Sequence, residues 1–421
     1  MNITALSHRR AQASCAGLSA LLLWVLPLTG HAFWGNTLAM EPQPFRQERV
    51  LESRTFQYND ESFIHRSSFA STPAEYRSHP LPQDHIEGVG GSSRSDELFL
   101  DASARATQRF DRKGTVDFQY RFRRTEDYDG RYSRNLVGFG IHPGGGIQAR
   151  LMADAQGDKA RIDLQPELGW QDRHGNAVRV ALVMPDYVFN EKQNEAHYAD
   201  TPRTLFSAAQ WHASDVTSLK GYISLSPETE LEIPSRDSLF REESAQGGFS
   251  LQHRFNKDAS VRWLIEGAFT DRHQNGLSSS ASASMERRVW RSRAILTYAG
   301  GRVERWRLGG EFLSLAESGQ LIGDARQLSD RDEYLAFIGF GQSLSPEWQF
   351  SPELFVAHVN GYSLNGLKQR YSDHDGNYIK ASLPFSWAPQ GKNGPRLTLN
   401  PSVELHEPGF GGGNLRIRIP L

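Results

Sequence analysis

The chain has 421 residues, 47 of them basic and 49 acidic, for a formal charge of −2, and it contains a single cysteine. One cysteine excludes a disulfide framework. The near balance of charge gives no basic excess for nucleic acid, so no nucleic-acid partner is expected.

The first 32 residues read as a secretory signal peptide. Arg9 and Arg10 form a positive start, Ala16 to Leu28 an apolar core, and Gly30 and Ala32 the small-x-small pattern of a signal-peptidase site. The apolar run falls short of the ~18 residues that an anchoring helix needs. Cys15 precedes that core, so no lipoprotein site is expected. Cleavage near Ala32 removes the only thiol and moves the charge to about −4, because two arginines and no acid leave. No other stretch is apolar enough for a transmembrane helix.

Residues 33–94 are rich in Arg, Ser, His and Pro, as at Phe45–Arg49 and Ser78–Pro82, and lack a clean strand period. Two readings stay open for them: a periplasmic lead-in or tail, and a plug in a lumen.

From about residue 95 the period is two. Leu98, Leu100, Ala102, Ala104 and Ala106 alternate with Asp101, Ser103, Arg105 and Thr107. After the turn Asp111–Gly114, Val116, Phe118, Tyr120 and Phe122 alternate with Asp117, Gln119, Arg121 and Arg123. The pattern recurs around Leu164–Trp170, Val261–Phe269, Trp306–Phe312, Leu397–Leu405 and Leu415–Leu421. Short connections (172–176, 214–217, 256–259, 300–304, 345–347) alternate with long polar ones near 186–203, 227–244, 272–286, 316–332 and 360–377. A soluble sandwich has no reason to sort its loops by parity, whereas outer-membrane barrels have short periplasmic turns and long extracellular loops. The expected fold is therefore an all-β, transmembrane, antiparallel up-and-down barrel over 95–421. About seventeen segments plus one upward strand within about 45–93 give about eighteen strands. The glycine-broken segment 134–142 leaves sixteen as the alternative.

If the apolar face meets lipid, the other face lines the lumen. It carries Arg105, Arg121, Arg123, Arg150, Arg161, Arg179, Arg254, Arg262, Arg291, Arg293, Arg305 and Arg307, with fewer acids among them. Lysine is scarce, and the planar fork of arginine suits carboxylate, phosphate and sulfate. Two readings follow: a cationic pathway for an anionic solute or polymer, and a wall stiffened by arginine–acid pairs. The short turn at 300–304 predicts that Arg291, Arg293, Arg305 and Arg307 cluster, with Glu286 and Glu311 away from their centre.

Chemistry of other kinds is poorly supported. Gly361–Gly366 lacks the strand–turn–helix setting of a serine nucleophile and reads as a turn. Asp373–Asn377 resembles half a calcium loop but has no closing glutamate. Ser278–Ser284 reads as a loop tip, and the glycine runs at 144–146 and 411–413 sit between strands rather than before helices. No catalytic residue, metal site or cofactor is expected.

The region 95–421 resembles bacterial outer-membrane β-barrels as a class, and its strand number and arginine wall look like barrels that export acidic exopolysaccharides, such as the alginate-export type. The resemblance implies a location in the outer membrane. It also implies contact with outer-membrane lipid and lipopolysaccharide, insertion by the barrel-assembly machinery, and a periplasmic export or scaffold partner. The chain departs from such barrels in ending on Leu421 after Pro420 instead of on an aromatic residue. Three functions remain open: a conduit for an anionic polymer or solute, a general diffusion porin, and a sleeve around a partner such as an electron-transfer component.

Overall fold

The computed structural model describes residues 84–92, 98–110, 115–127, 130–154, 163–184, 197–198, 203–300, 303–319, 328–364, 370–373, 376–390, 394–406 and 409–421. The expected signal peptide, the segment 33–83, the turn 111–114 and Arg161 lie outside them.

The described residues form one antiparallel sheet of twenty-two segments that make eighteen positions, three of them interrupted. In chain order these are β1 His85–Ser92, β2 Leu98–Arg109, β3 Val116–Asp127, β4 Gly130–Gly144, β5 Ile147–Asp154 and β6 Leu164–Gln171. There follow β7 Ala177–Val183, β8 (His197–Tyr198 and Thr204–Ser214), β9 Thr217–Ile233, β10 Ser238–Arg254, β11 Ala259–Gly276 and β12 Ser282–Gly300. The last are β13 Val303–Gly319, β14 Leu328–Ser343, β15 (Trp348–Phe350 and Glu353–Leu364), β16 (Arg370–Asp373, Gly376–Ser382 and Phe385–Trp387), β17 Arg396–Glu404 and β18 Gly409–Pro420. Each position pairs with the next, and β1 closes the ring on β18 with His85 opposite Pro420 and Ser92 opposite Gly413. The barrel therefore has no free edge. β4 runs unbroken through 134–142, so the count is eighteen, not sixteen. The upward strand expected within 45–93 is β1.

Burial shows which face meets lipid. In β7, Val178 and Val180 are exposed while Arg179 between them is 7% exposed. Phe139, Leu151, Leu168, Leu308, Ile338, Val356 and Leu399 point outward in the same way. A soluble sheet would bury those side chains; an apolar outside over a polar inside is the inversion that a bilayer requires. Trp170, Trp211, Trp306, Trp348 and Trp387 lie on the outer face near the short-turn end, with the Trp348 and Trp387 rings 6.4 Å apart and Phe350 stacked on Phe385 at 4.5 Å. Aromatic side chains gather at membrane interfaces because one part is apolar and another polar.

The short turns are built by local chemistry. Gly144, Gly145 and Gly146 all have positive φ, a region closed to most side chains, and a Cβ on Gly146 would fall 1.8 Å from the Gln171 carbonyl oxygen. In the next turn Asp172 accepts hydrogen bonds from the backbone N–H of His174 (2.8 Å) and Asn176 (2.9 Å).

Two expected long loops are strands. β9 reaches Ile233 and β10 begins at Ser238, leaving only Pro234–Asp237 between them, and β11 reaches Gly276 before β12 starts at Ser282. These hairpins run past the apolar band, so water meets both faces and the period-two contrast fades. Gly361–Leu364, expected in a turn, likewise completes β15.

Candidate functional site: the inner wall

Among the described residues, two large groups of charged side chains line the inside, beside a smaller pair of Glu87 and Arg416 at 3.3 Å on β1 and β18. The first spans β2 to β7. Arg105 and Arg121 are directly opposed on β2 and β3. Arg121 grips Glu167 with both terminal nitrogens, at 2.7 and 2.9 Å, and its Nε donates to Gln119 at 2.6 Å. Arg179 donates to the same carboxylate at 2.7 Å, as does Gln165 at 2.5 Å. Arg150, opposite Glu167 in the register, reaches across β4 to Asp117 at 2.8 Å. The crossing is open because Gly140 stands there; a Cβ at that position would lie 2.5 Å from Asp117 Oδ1 and 3.1 Å from Arg150 Nε. His142 joins the same carboxylate at 2.8 Å. Arg121, Arg150, Arg179, Asp117 and Glu167 are all buried. Groups of this charge are tolerated away from water only because they are paired and hydrogen-bonded.

The second group spans β10 to β15. Arg291 donates to Glu311 at 3.1 Å and lies 3.7 Å from Glu266, and Arg293 lies 3.2 Å from Glu311. Arg307 pairs with Glu353, Arg272 with Glu242, and Arg287 with Glu317 at 3.4 Å.

This arrangement corrects the expected cluster. The β12–β13 register places Glu311, not an arginine, opposite Arg293, and Thr297 opposite Arg307. Arg305 and Arg307 therefore sit toward the turn while Arg291 and Arg293 lie mid-strand, and Glu311 stands between the latter two. Glu286 pairs instead with Arg288 on the outer face of the projecting hairpin.

The remaining expected residues are scattered. Arg254 donates to the Asp215 carbonyl at 3.0 Å beside a short turn, and Arg262 donates to Gln252 at 3.1 Å. Arg123 falls on β3, opposite Arg134 of β4.

The inner wall also holds apolar side chains that sequence reading missed. Ile295, Leu335, Phe337, Phe355 and Ala357 form a buried cluster facing inward, with Phe337 and Phe355 centroids 5.8 Å apart and the Arg293 guanidinium 5.7 Å from the Phe337 ring. On β14, Tyr334, Ala336, Ile338 and Phe340 are as apolar as Leu335 and Phe337, so no alternation marks which parity faces in.

A closed antiparallel barrel of even strand number, apolar outside and charged inside, defines the class: a transmembrane β-barrel of the bacterial outer-membrane type. No family profile and no curated protein matches the chain. Among solved structures, OprD of Pseudomonas aeruginosa is similar at 12% identity and TM-score 0.41 over 80% of this chain and 94% of that one. A bacterial polysaccharide outer-membrane secretin is similar at 10% identity and TM-score 0.39 over 80% and 97%. The translocator domain of the autotransporter NalP from Neisseria meningitidis is similar at 13% identity and TM-score 0.30 over 66% and 90%.

Proposed function

We propose that this barrel is an outer-membrane channel for anions, either small anionic solutes or an anionic polymer such as an acidic exopolysaccharide. The observation that carries the reading is the wall of β2 to β7, where Arg105, Arg121, Arg150 and Arg179 gather around Glu167 and Asp117. A passing carboxylate or sulfate exchanges one set of guanidinium partners for another, which lowers the cost of leaving water. Delivery of a polymer would call for a periplasmic export or scaffold partner, and insertion for the barrel-assembly machinery.

Reversal potentials across a salt gradient in planar bilayers test the reading. Anion preference is expected in the wild type, and weaker preference in Arg105→Gln. Cation preference in the wild type would overturn it.

The inward apolar cluster around Phe337 and Phe355 favours a second reading, a sleeve around a partner protein, because an aqueous lumen gains nothing from phenylalanines on its wall. Wild-type conductance equal to that of an open eighteen-strand pore would count against that alternative.

A further inference from the structure

We infer that the lumen is filled by the chain's own segment 33–83, which remains ahead of β1 once the expected signal peptide is gone. Burial of the inner wall calls for such a filling. Met152, Val183, Phe206, Leu231, Met285 and Val359 face inward from β5, β7, β8, β9, β12 and β15, and none is more than 1% exposed. Eighteen strands about 4.8 Å apart and tilted by about 40° enclose a bore about 35 Å wide between backbones. Wall side chains do not close a ring of that width, which otherwise holds water. The ion pairs described above join strands no more than three positions apart, as Arg121 on β3 with Glu167 on β6, so they do not draw opposite walls together. Apolar side chains that water nevertheless fails to reach, all round the ring, are covered by something inside it.

Position, composition and charge name the occupant. At the foot of β1 the Leu421 N–H donates to the Asp84 carbonyl at 3.0 Å, and the Asp84 carboxylate hydrogen-bonds Thr107, which shares the inner face with Arg105. The segment 33–83 therefore joins the wall at the short-turn mouth of the lumen. The long loops open at the other end, yet Ser382 and Asn400, a few residues from the short-turn tryptophans Trp348 and Trp387, are each 1% exposed. A filling that enters from the short-turn end accounts for this, whereas one made of the long loops must cross the whole bore. Eight of the 51 residues of 33–83 are aromatic, Phe56, Phe63 and Phe69 among them, while segments that stay solvated are poor in aromatics. They suit the inward cluster of Phe337 and Phe355. Six acids and five arginines accompany them, supplying both signs to a wall of arginines and glutamates, and buried charges require such partners.

The inference goes beyond the anion pathway and stands independently of it, because a filled lumen implies no sign of selectivity. Once Cys15 leaves with the signal peptide, Val359→Cys is the only thiol, and in the full-length mature barrel it should resist a water-soluble maleimide. A photo-crosslinking phenylalanine analogue in place of Phe355 should join, within one chain, to peptides of 33–83. Crosslinks confined to the long loops or to another protein, or rapid labelling of the thiol, overturn the inference. Deleting 33–83 should raise single-channel conductance severalfold over that of the full-length protein, and unchanged conductance in a folded deletion variant also overturns it. If that variant does not assemble, the crosslinking and labelling of the full-length barrel decide. Reversal potentials keep the two proposals apart. Cation preference with crosslinks to 33–83 removes the anion reading and leaves the filled lumen, whereas anion preference with crosslinks elsewhere does the opposite.

Discussion

Arg293 and Glu311 stand directly opposite each other on neighbouring strands, 3.2 Å apart, with the arginine side chain wholly inaccessible and the carboxylate shared with Arg291. Removing the carboxylate takes from two buried arginines the partner they share. Glu311→Gln should therefore cost about 3–5 kcal/mol. Replacing Arg293 and Glu311 together by apolar residues of similar size should cost much less. Denaturant unfolding of the folded barrel measures both, and equal losses for the single and double variants would show that the pair is not what holds this part of the wall.

The outer face makes a second prediction. Leu308 is 56% exposed, pointing into the apolar band beside the inward Arg307. Leu308→Arg should destabilise the barrel by ~2–4 kcal/mol if the position lies at the midplane, and less toward an interface. Leu308→Asn in a lipid-facing position should also cost more than Asn in place of the inward Arg254, which lies beside a short turn. If arginine is tolerated at Leu308 without loss, the outward face does not meet lipid.

A third prediction concerns pH at the projecting hairpins. Asp237, in the left-handed region at φ 50°, accepts from the Ser278 hydroxyl at 2.7 Å and from the Ser278 backbone N–H at 2.8 Å, tying the β9–β10 turn to the β11–β12 turn. The hydroxyl bond first, then the backbone bond, hold its carboxyl below the usual carboxylate range. A depressed folded-state pKa means that this tie is fully present above the unfolded value of about 3.9 and is lost as pH falls through the folded one. Amide exchange at Leu277 and Ser278 should accelerate below about pH 4. Asp237→Asn, which tolerates the same backbone conformation, should remove that pH dependence while leaving exchange elsewhere in the barrel unchanged.

Gly146→Ala makes a fourth. The added methyl would collide with the Gln171 carbonyl oxygen, and the backbone already has φ +78°. A cost of at least ~1–3 kcal/mol is expected from backbone strain alone, read as a lower denaturant midpoint. Gly145→Ala meets no neighbouring atom and should cost less, so equal effects at the two positions would show that the collision is relieved.

Much of this architecture was legible in the sequence, and the reason is periodicity. Where apolar and charged residues alternate sharply, as at Val116–Arg123 or Val178–Val180, a period of two assigns each side chain to a face before any fold is known. The same alternation, with the parity of the connections, determined an antiparallel barrel of about eighteen strands with arginine on its inner wall. It could not locate the strand ends at 227–244 and 272–286, because beyond the apolar band both faces are polar and the contrast vanishes. Nor could it see the inner cluster of Phe337 and Phe355, since β14 is apolar on both faces. Register was decided only in three dimensions: shifting a strand by two residues preserves every facing, so the pattern that put Arg293 and Arg307 on the inner wall was silent about their partners. The pairing of β12 with β13 brought Glu311 to Arg293, and the return of β18 to β1 closed the ring.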